Sequence, residues 1–213
     1  RLNNVLEEAI SAARGGEPMG PEDQSLLRFL LEVRGQEASN AQLKDDLRTL
    51  LIAGHETVAS ALTWATFELV RRPEAMRRAQ EELDRVLGDR DPTFEDAEKL
   101  QYLRMAVAEA LRLYPAPPSL LRRALEDDLL PASSAARGPV PLERGTLITL
   151  QMAMLHRHPD IYEAPDDFRP ERWLEPFGPS EKVPGWQGYD PSRMTGLLPS
   201  EKSSDFAFVP FGA

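Results

Sequence analysis

The stretch that most constrains the fold runs from residue 39 to residue 72. Apolar or small residues recur there at helical spacing, at positions 43, 47, 50, 54, 58, 61, 65 and 69. Ser39 and Gln42 fit a capping box at its start, and Pro73 follows its end. The pattern predicts a helix over about residues 40–71, roughly 45 Å long. Because helices average about 11–12 residues, this one is expected to cross the whole molecule.

The centre of this helix, Ala53-Gly54-His55-Glu56-Thr57, contains three locally unfavourable choices. Gly54 costs about 1 kcal/mol relative to alanine, and Thr57 can bond to a carbonyl one turn earlier. A carboxylate such as Glu56 is costly to bury in an apolar stretch. Three unfavourable choices in one turn indicate a functional site. The alternative is a surface-facing polar patch with an accidental glycine.

Shorter elements surround the long helix. Pro73 can begin a helix because its missing N–H costs nothing in the first turn, and Gly88 is suited to end it. The mixture predicts an α+β fold, mainly α with small β-sheets. The predicted elements are helices at 1–14 and 26–31 separated by a Gly/Pro break at 15–21, the long helix, helices at 73–88 and about 97–113, strands at 119–125 and 146–151 around a small-residue loop at 132–136, and irregular coil over about 164–210.

Charge and cysteine content exclude some functions. With 35 acidic against 25 basic residues, the net charge of −10 argues against nucleic acid as a main partner. The chain has no cysteine, so it holds neither a disulfide nor a cysteine-based metal site. No apolar run is long enough to span a bilayer. The chain begins with Arg1 and stops at Ala213, and both ends are expected to be cut from a longer protein.

Four motifs resemble the cytochromes P-450, in the order and with separations like those of that family. The helix centre at 53–57 resembles its oxygen-activation motif, and Glu109-Ala110-Leu111-Arg112 its Glu-x-x-Arg motif. Pro170-Glu171-Arg172-Trp173 and Phe208-Val209-Pro210-Phe211-Gly212 resemble its Pro-Glu-Arg-aromatic motif and the start of its heme-binding loop. The resemblance covers nearly the whole chain. It implies a partial P-450 domain over 1–213, the C-terminal half of the fold without the cysteine-ligand loop and final helix.

The resemblance also implies a role for three charged residues. Glu109 and Arg112 are three residues apart, so they share one face of a helix, and Arg172 would complete a buried charge triad. Breaking such a triad costs more than making it, which suits a structural role beside the heme. The alternative for Glu109 and Arg112 is an exposed ion pair of little energetic value.

On the catalytic side, the resemblance implies that Thr57 positions water and that Glu56 relays protons from solvent. Ala53 and Gly54 would leave room for oxygen and substrate. Val58 departs from the family, which often has a second hydroxyl there; this weakens the case for a hydroxyl network but leaves Thr57 in place.

The cofactor implied is heme b. Arg123 and His156 are the candidates for its propionates, because a carboxylate in a partly dry site needs a cationic or hydrogen-bonding partner. Arg122 is the rival of Arg123; a solvated strand end and a core or surface histidine are the alternatives. Pro210 and Phe211 would line the heme-binding loop. In the family that loop continues to a cysteine that ligates the iron, so we expect no metal ligand in this chain, an axial cysteine beyond Ala213, and poor heme binding by the chain alone.

Part of the resemblance is narrower. Gln42–Leu47 and Leu111–Pro115 are similar to plastid carotenoid-ring hydroxylases of plants, and Gly185–Asp205 to algal relatives. This implies hydroxylation of a carotenoid ring in a plastid with O2 and electrons from NADPH, through a ferredoxin or a flavoprotein reductase.

Arg71-Arg72 and Arg77-Arg78 are either solvated helix faces or a docking site for that electron-transfer partner. Any membrane association would come from a missing N-terminal part. The alternatives are a fatty-acid or other lipid hydroxylase, and a non-catalytic heme-fold or helical interaction protein.

Overall fold

A computed structural model describes residues 2–15, 26–34, 39–131 and 138–212. Two sequence predictions lie outside these ranges: the Gly/Pro break beyond Gly15, and the small-residue loop at 132–136. The chain forms two compact units, Arg1–Val58 and Ala59–Ala213. Among the described residues, no helix combines the length and the apolar character needed to cross a membrane.

The first unit is helical. It contains α1 (Leu2–Gly15), α2 (Leu26–Arg34) and the first part of α3 (Asn40–Val70). One side chain from each helix, Ile10, Leu30 and Leu43, forms a small buried core.

Polar contacts join α1 to α3 within this unit, and the start of α3 differs from its prediction. Lys44 pairs with Glu7, and Arg48 Nη2 donates to Asn3 Oδ1 at 2.7 Å. Only half of the predicted capping box forms: Ser39 Oγ accepts from the Gln42 N–H at 3.2 Å. The Gln42 amide donates to Asp46 at 2.9 Å instead of returning to the cap.

The second unit is built around a helix whose residues are mostly buried, α5. Its further elements are the end of α3, α4 (Pro73–Leu87), α5 (Gln101–Leu113), α6 (Met152–Leu155), α7 (Glu201–Ser204), 3-10 helices at Phe94–Glu98, Pro170–Trp173 and Pro191–Arg193, and strands β1 (Leu120–Arg123), β2 (Asp128–Leu130), β3 (Val140–Leu142) and β4 (Leu147–Leu150). The core packs α5 against aromatic side chains of the later coil, namely Tyr162, Phe168, Trp173, Tyr189 and Phe208.

The sheets are small and antiparallel. β1 pairs with β4, with Leu120 opposite Leu150 and Arg123 opposite Leu147. These are the two strands that the sequence predicts. β2 pairs with β3; the sequence analysis missed this pair because three-residue strands carry too little periodicity.

The end of α3 is fixed to α5 within the second unit. Ala65 and Leu69 are buried in the core, and the Trp64 ring stacks on Tyr114 at 4.0 Å. Glu68 is buried and accepts from the Tyr114 hydroxyl at 2.6 Å. The helix predicted over 40–71 is thus observed as Asn40–Val70, 31 residues, without interruption at its polar centre.

The start of α5 is set by a carboxylate that is distant in sequence. The helix begins at Gln101, not at 97 as predicted, because Glu82 accepts the N–H groups of Tyr102 and Leu103, both at 2.9 Å. These donors have no partner inside the helix. Before them, Thr93 and Asp96 form a capping box on a separate 3-10 turn.

We expect Glu82→Ala to lower the free energy of unfolding of the full-length protein by about 1–2 kcal/mol, because two helix N–H groups lose their acceptor. Urea unfolding followed by circular dichroism measures this. The control is Glu81→Ala, which removes an exposed ion pair with Arg77 and should change stability by less than about 0.5 kcal/mol. Equal effects of the two substitutions would show that Glu82 does not cap α5.

Candidate functional site

The carboxylate of Glu109 is the centre of a buried charge cluster formed with Arg112 and Arg172. Arg112 Nε and Nη2 donate to its two oxygens at 2.9 and 2.8 Å, and Arg172 Nε donates to Oε1 at 2.8 Å. Glu109 and Arg112 are fully buried. The structure therefore brings together the three charges that the sequence analysis grouped.

Two further donors to Glu109 were missed by the sequence analysis. The Arg169 N–H donates to Oε1 at 3.0 Å, and the Trp173 indole N–H donates to Oε2 at 3.1 Å. Among the described residues, Glu109 thus accepts five hydrogen bonds, enough to satisfy both oxygens of a buried carboxylate. The Trp173 contact had one signal in the sequence: an aromatic residue directly follows the Pro-Glu-Arg motif.

The two guanidiniums also hold the coil that precedes the Pro170–Trp173 turn. Arg112 donates to the carbonyls of His156, Pro165 and Asp167 at 2.8, 2.6 and 3.0 Å. Arg172 donates to the Glu163 carbonyl at 3.0 Å. Because these carbonyls lie in irregular backbone, the cluster replaces the partners that a helix or sheet would have supplied.

His156 is fully buried and already bonded. Its Nε2 accepts from the Val209 N–H at 2.9 Å, and its ring lies 5.1 Å from that of Phe208. Burial, reinforced by the positive charge of Arg112, lowers the pKa of His156 to about 4. The enclosed ring fits the core histidine that the sequence left as the alternative, and the predicted propionate contact stays a prediction.

Arg122 and Arg123 lie on β1, and both are exposed. Neighbouring residues of a strand point to opposite faces, so a ligand on one face would meet only one of them. Neither side chain has an ion-pair partner among the described residues; Arg122 Nη1 donates only to the Leu121 carbonyl, at 3.1 Å. Arg123 is separate from the charge cluster, and its predicted role stays a prediction.

The last predicted site residues lie in one short loop. Pro210 is buried, whereas Phe211 is 76% exposed. At Gly212 the backbone has φ of +85°, and a Cβ there would lie 3.2 Å from Leu120 Cδ1. Glycine is therefore favoured at this position, where the loop passes β1.

In the first unit, residues 53–57 occupy the middle of α3. Thr57 Oγ1 donates to the Ala53 carbonyl at 2.7 Å. Thr49 makes the same bond to Asp45 at 2.8 Å, so this bond alone does not mark a site. Glu56 is exposed, and its side chain has no ion-pair partner among the described residues.

This part of α3 has an open apolar surface. A Cβ at Gly54 would meet nothing within 4 Å. The large apolar residues on either side are about half exposed: Leu50 41%, Leu51 48%, Ile52 51% and Val58 56%. His55, Glu56 and Thr57 are thus the polar groups at the centre of an otherwise apolar stretch. The described residues contain no cluster of three or more histidine, aspartate or glutamate side chains placed to bind a metal.

Comparison with known proteins decides the family, because the family model described as cytochrome P450 matches residues 2–213. The chain belongs to the cytochrome P450 family.

Curated relatives of this P450 chain include chloroplastic plant proteins. It is 50% identical over 192 residues to chloroplastic cytochrome P450 97B2 of Glycine max, covering 89% of this chain and 33% of that protein. It is 39% identical over 211 residues to chloroplastic carotene epsilon-monooxygenase of Arabidopsis thaliana, covering 99% of this chain and 34% of that protein. It is also 39% identical over 221 residues to chloroplastic LUTEIN DEFICIENT 5 of the same plant, covering 99% and 33%. The chain spans about a third of the length of these relatives.

We expect Arg112→Ala to destabilise the P450 fold by about 3–5 kcal/mol, because it leaves the buried Glu109 carboxylate with fewer partners. Urea unfolding of the full-length protein measures this. Arg77→Ala is the matched control, since Arg77 also pairs with two carboxylates but is exposed; it should leave the free energy of unfolding nearly unchanged. A cost for Arg112→Ala as small as that of the control would contradict the assignment.

The lowered pKa of His156 predicts that the stability of the protein depends on pH. The unfolded state takes up the proton near the ordinary pKa of about 6.5, and the folded state only near 4. The contribution of neutral His156 is therefore fully present above about pH 6.5 and is lost as pH falls toward 4. It amounts to up to about 3 kcal/mol. His156→Gln keeps an acceptor for Val209 but does not titrate, so its stability should fall less between pH 7 and pH 4. Parallel urea-unfolding curves for the two proteins would contradict this prediction.

Proposed function

We propose that the full-length protein is a heme-thiolate monooxygenase that inserts one oxygen atom from O2 into a hydrophobic substrate. The observation that carries this proposal is the turn Gly54–Thr57, which places an acid and a hydroxyl in an open apolar stretch of α3 in a chain of the P450 family. An acid and a hydroxyl there are the groups needed to deliver protons next to an apolar cofactor and substrate.

The described residues fit heme b as the cofactor. In the first unit, Ala53 and Gly54 leave a surface that a flat apolar group can approach, since no atom lies where a Gly54 Cβ would point. In the second unit, Arg123 is an exposed cation without an ion-pair partner among the described residues, as a propionate contact requires. Arg122, on the opposite face of the strand, is the alternative. With a thiolate ligand, heme supplies the activation of O2; we propose that a cysteine following Ala213 provides that ligand.

Thr57 and Glu56 would then move protons. The Thr57 hydroxyl donates its proton to the Ala53 carbonyl, so its oxygen lone pairs are left to accept from a water molecule and to orient it. Glu56 is exposed, so its carboxylate can exchange protons with solvent. Together they would carry protons from solvent toward the apolar surface at Gly54.

For the substrate we propose a carotenoid ring. The support is the name of one relative, a carotene epsilon-monooxygenase that is aligned over 99% of this chain. A plastid location is supported in the same way, by the chloroplastic relatives. Electrons would come from NADPH through a ferredoxin or a flavoprotein reductase. The reductase option is supported by a 34% identical bifunctional P450/NADPH–P450 reductase of Bacillus subtilis.

The test of the function uses the full-length protein, expressed with a plastid ferredoxin system or a flavoprotein reductase. We expect the reduced carbon monoxide spectrum of a thiolate-ligated heme, and oxygen incorporation from 18O2 into a carotene. Turnover of fatty acids in place of carotenes would support the monooxygenase activity but contradict the proposed carotenoid substrate. The absence of a thiolate spectrum would overturn the function itself and favour a non-catalytic protein.

We expect Thr57→Ala to lower the product formed per NADPH by on the order of 10-fold, with the missing electrons recovered as hydrogen peroxide, because proton delivery is impaired. Heme content should not change. Thr63→Ala is the matched control: Thr63 makes the same bond to the carbonyl four residues earlier, Ala59, at 2.7 Å. Unchanged coupling in Thr57→Ala, or an equal loss in Thr63→Ala, would contradict the relay.

A further inference from the structure

Three consecutive residues of the irregular segment 207–212, Ala207, Phe208 and Val209, are each bonded at the backbone to a buried side chain. The Tyr162 hydroxyl donates to the Ala207 carbonyl at 2.9 Å. Ser204 Oγ accepts from the Phe208 N–H at 3.0 Å, and His156 Nε2 accepts from the Val209 N–H at 2.9 Å. We call these three side chains the loop anchors.

Two of the loop anchors are distant in sequence from the segment, whereas Ser204 lies four residues before Phe208. Tyr162 and His156 lie 45 and 53 residues from the positions they bond. All three anchors are fully buried. The segment itself makes few backbone hydrogen bonds, such as that from the Gly212 N–H to the Val209 carbonyl at 3.1 Å. Its position is therefore determined by side chains from elsewhere in the unit, and not by a helix or a sheet.

The charge cluster holds two of the three anchors. Arg112 donates to the His156 carbonyl at 2.8 Å, and its guanidinium lies 5.1 Å from the centre of the Tyr162 ring. Ser204 is fixed separately: its hydroxyl bonds to the Ser200 carbonyl at 2.7 Å, and its carbonyl accepts from the Trp186 indole at 2.9 Å. Two independent supports thus converge on residues 207–209.

We propose that Tyr162, Ser204 and His156 are positioning residues that fix the backbone of residues 207–209, so that the chain leaves Gly212 in one direction and presents the ligand that follows in one geometry. This rests on the proposed function, in which that ligand is the axial thiolate. A ligand site tolerates errors of only about 0.5 Å, so its support has to be rigid. A purely structural role would lower stability without changing the ligand geometry.

The first test does not depend on heme. Amide hydrogen exchange of the full-length protein is measured for peptides covering 205–212. His156→Leu removes the acceptor of the Val209 N–H and should speed exchange there about 5- to 10-fold, as expected for one lost hydrogen bond. His156→Gln restores an acceptor and should restore most of the protection. Equal exchange in the wild type and His156→Leu would overturn the anchoring.

The second test measures the ligation of the heme iron. In His156→Leu we expect a smaller thiolate fraction of the reduced carbon monoxide spectrum at unchanged heme content, with recovery in His156→Gln. Tyr162→Phe keeps the ring and should act in the same direction. Its matched control is Tyr189→Phe, since the Tyr189 hydroxyl is also buried but donates to the Trp173 carbonyl, at 3.1 Å, and not to the loop.

The outcomes separate the two proposals. A wild-type protein without a thiolate spectrum overturns the proposed function, and with it the ligand that the anchors would serve, whereas the exchange data still report the anchoring itself. A wild-type thiolate spectrum that is unchanged in His156→Leu and Tyr162→Phe overturns the positioning role alone. An equal effect of Tyr189→Phe would assign the change to general loss of stability, and would overturn the positioning role as well.

Discussion

The arrangement of the rest of the second unit depends on the burial of the Glu109 carboxylate. An isolated buried carboxylate is very costly, and here five donors from α5, the coil and the Pro170–Trp173 turn remove that cost together. If the coil or the turn moved away, the buried Glu109 carboxylate would lose hydrogen-bond donors that water could not replace there. The cluster thereby holds the irregular coil in one position against α5. Hydrophobic contact alone would not fix that position.

The same interaction connects to the aromatic core. Trp173 donates to Glu109 through its indole N–H and packs its ring 4.8 Å from Phe208. Tyr162 receives the Arg112 guanidinium on its face and bonds to the Ala207 carbonyl. The hydrogen bonds of the buried polar groups and the packing of the aromatic rings therefore favour the same arrangement. Such consistency is typical of a uniquely folded site.

Sequence reasoning succeeded where the determinants are local. The length of α3 followed from apolar spacing, and the shared face of Glu109 and Arg112 followed from their separation of three residues. It could not place the start of α5, which depends on Glu82, about 20 residues earlier. It left His156 open between a propionate contact and a core or surface histidine, because a single histidine carries no local sign of burial. The role of Tyr162 was equally invisible, since a contact between residues 45 positions apart follows no periodic pattern. The contact of Ser204 with Phe208 spans only four residues, but the sequence around it does not show that this serine is buried.

The charge cluster carries one carboxylate and two guanidiniums, so it leaves an excess of one positive charge inside the protein. Its electrostatic effect is already visible at His156, where Arg112 helps to disfavour the protonated ring. For a thiol the same sign works in the opposite sense: a positive potential makes the anion the preferred state. The pKa of an acidic side chain near the cluster is therefore set by two opposing effects: the positive potential lowers it and burial raises it, and at Tyr162 burial is the larger.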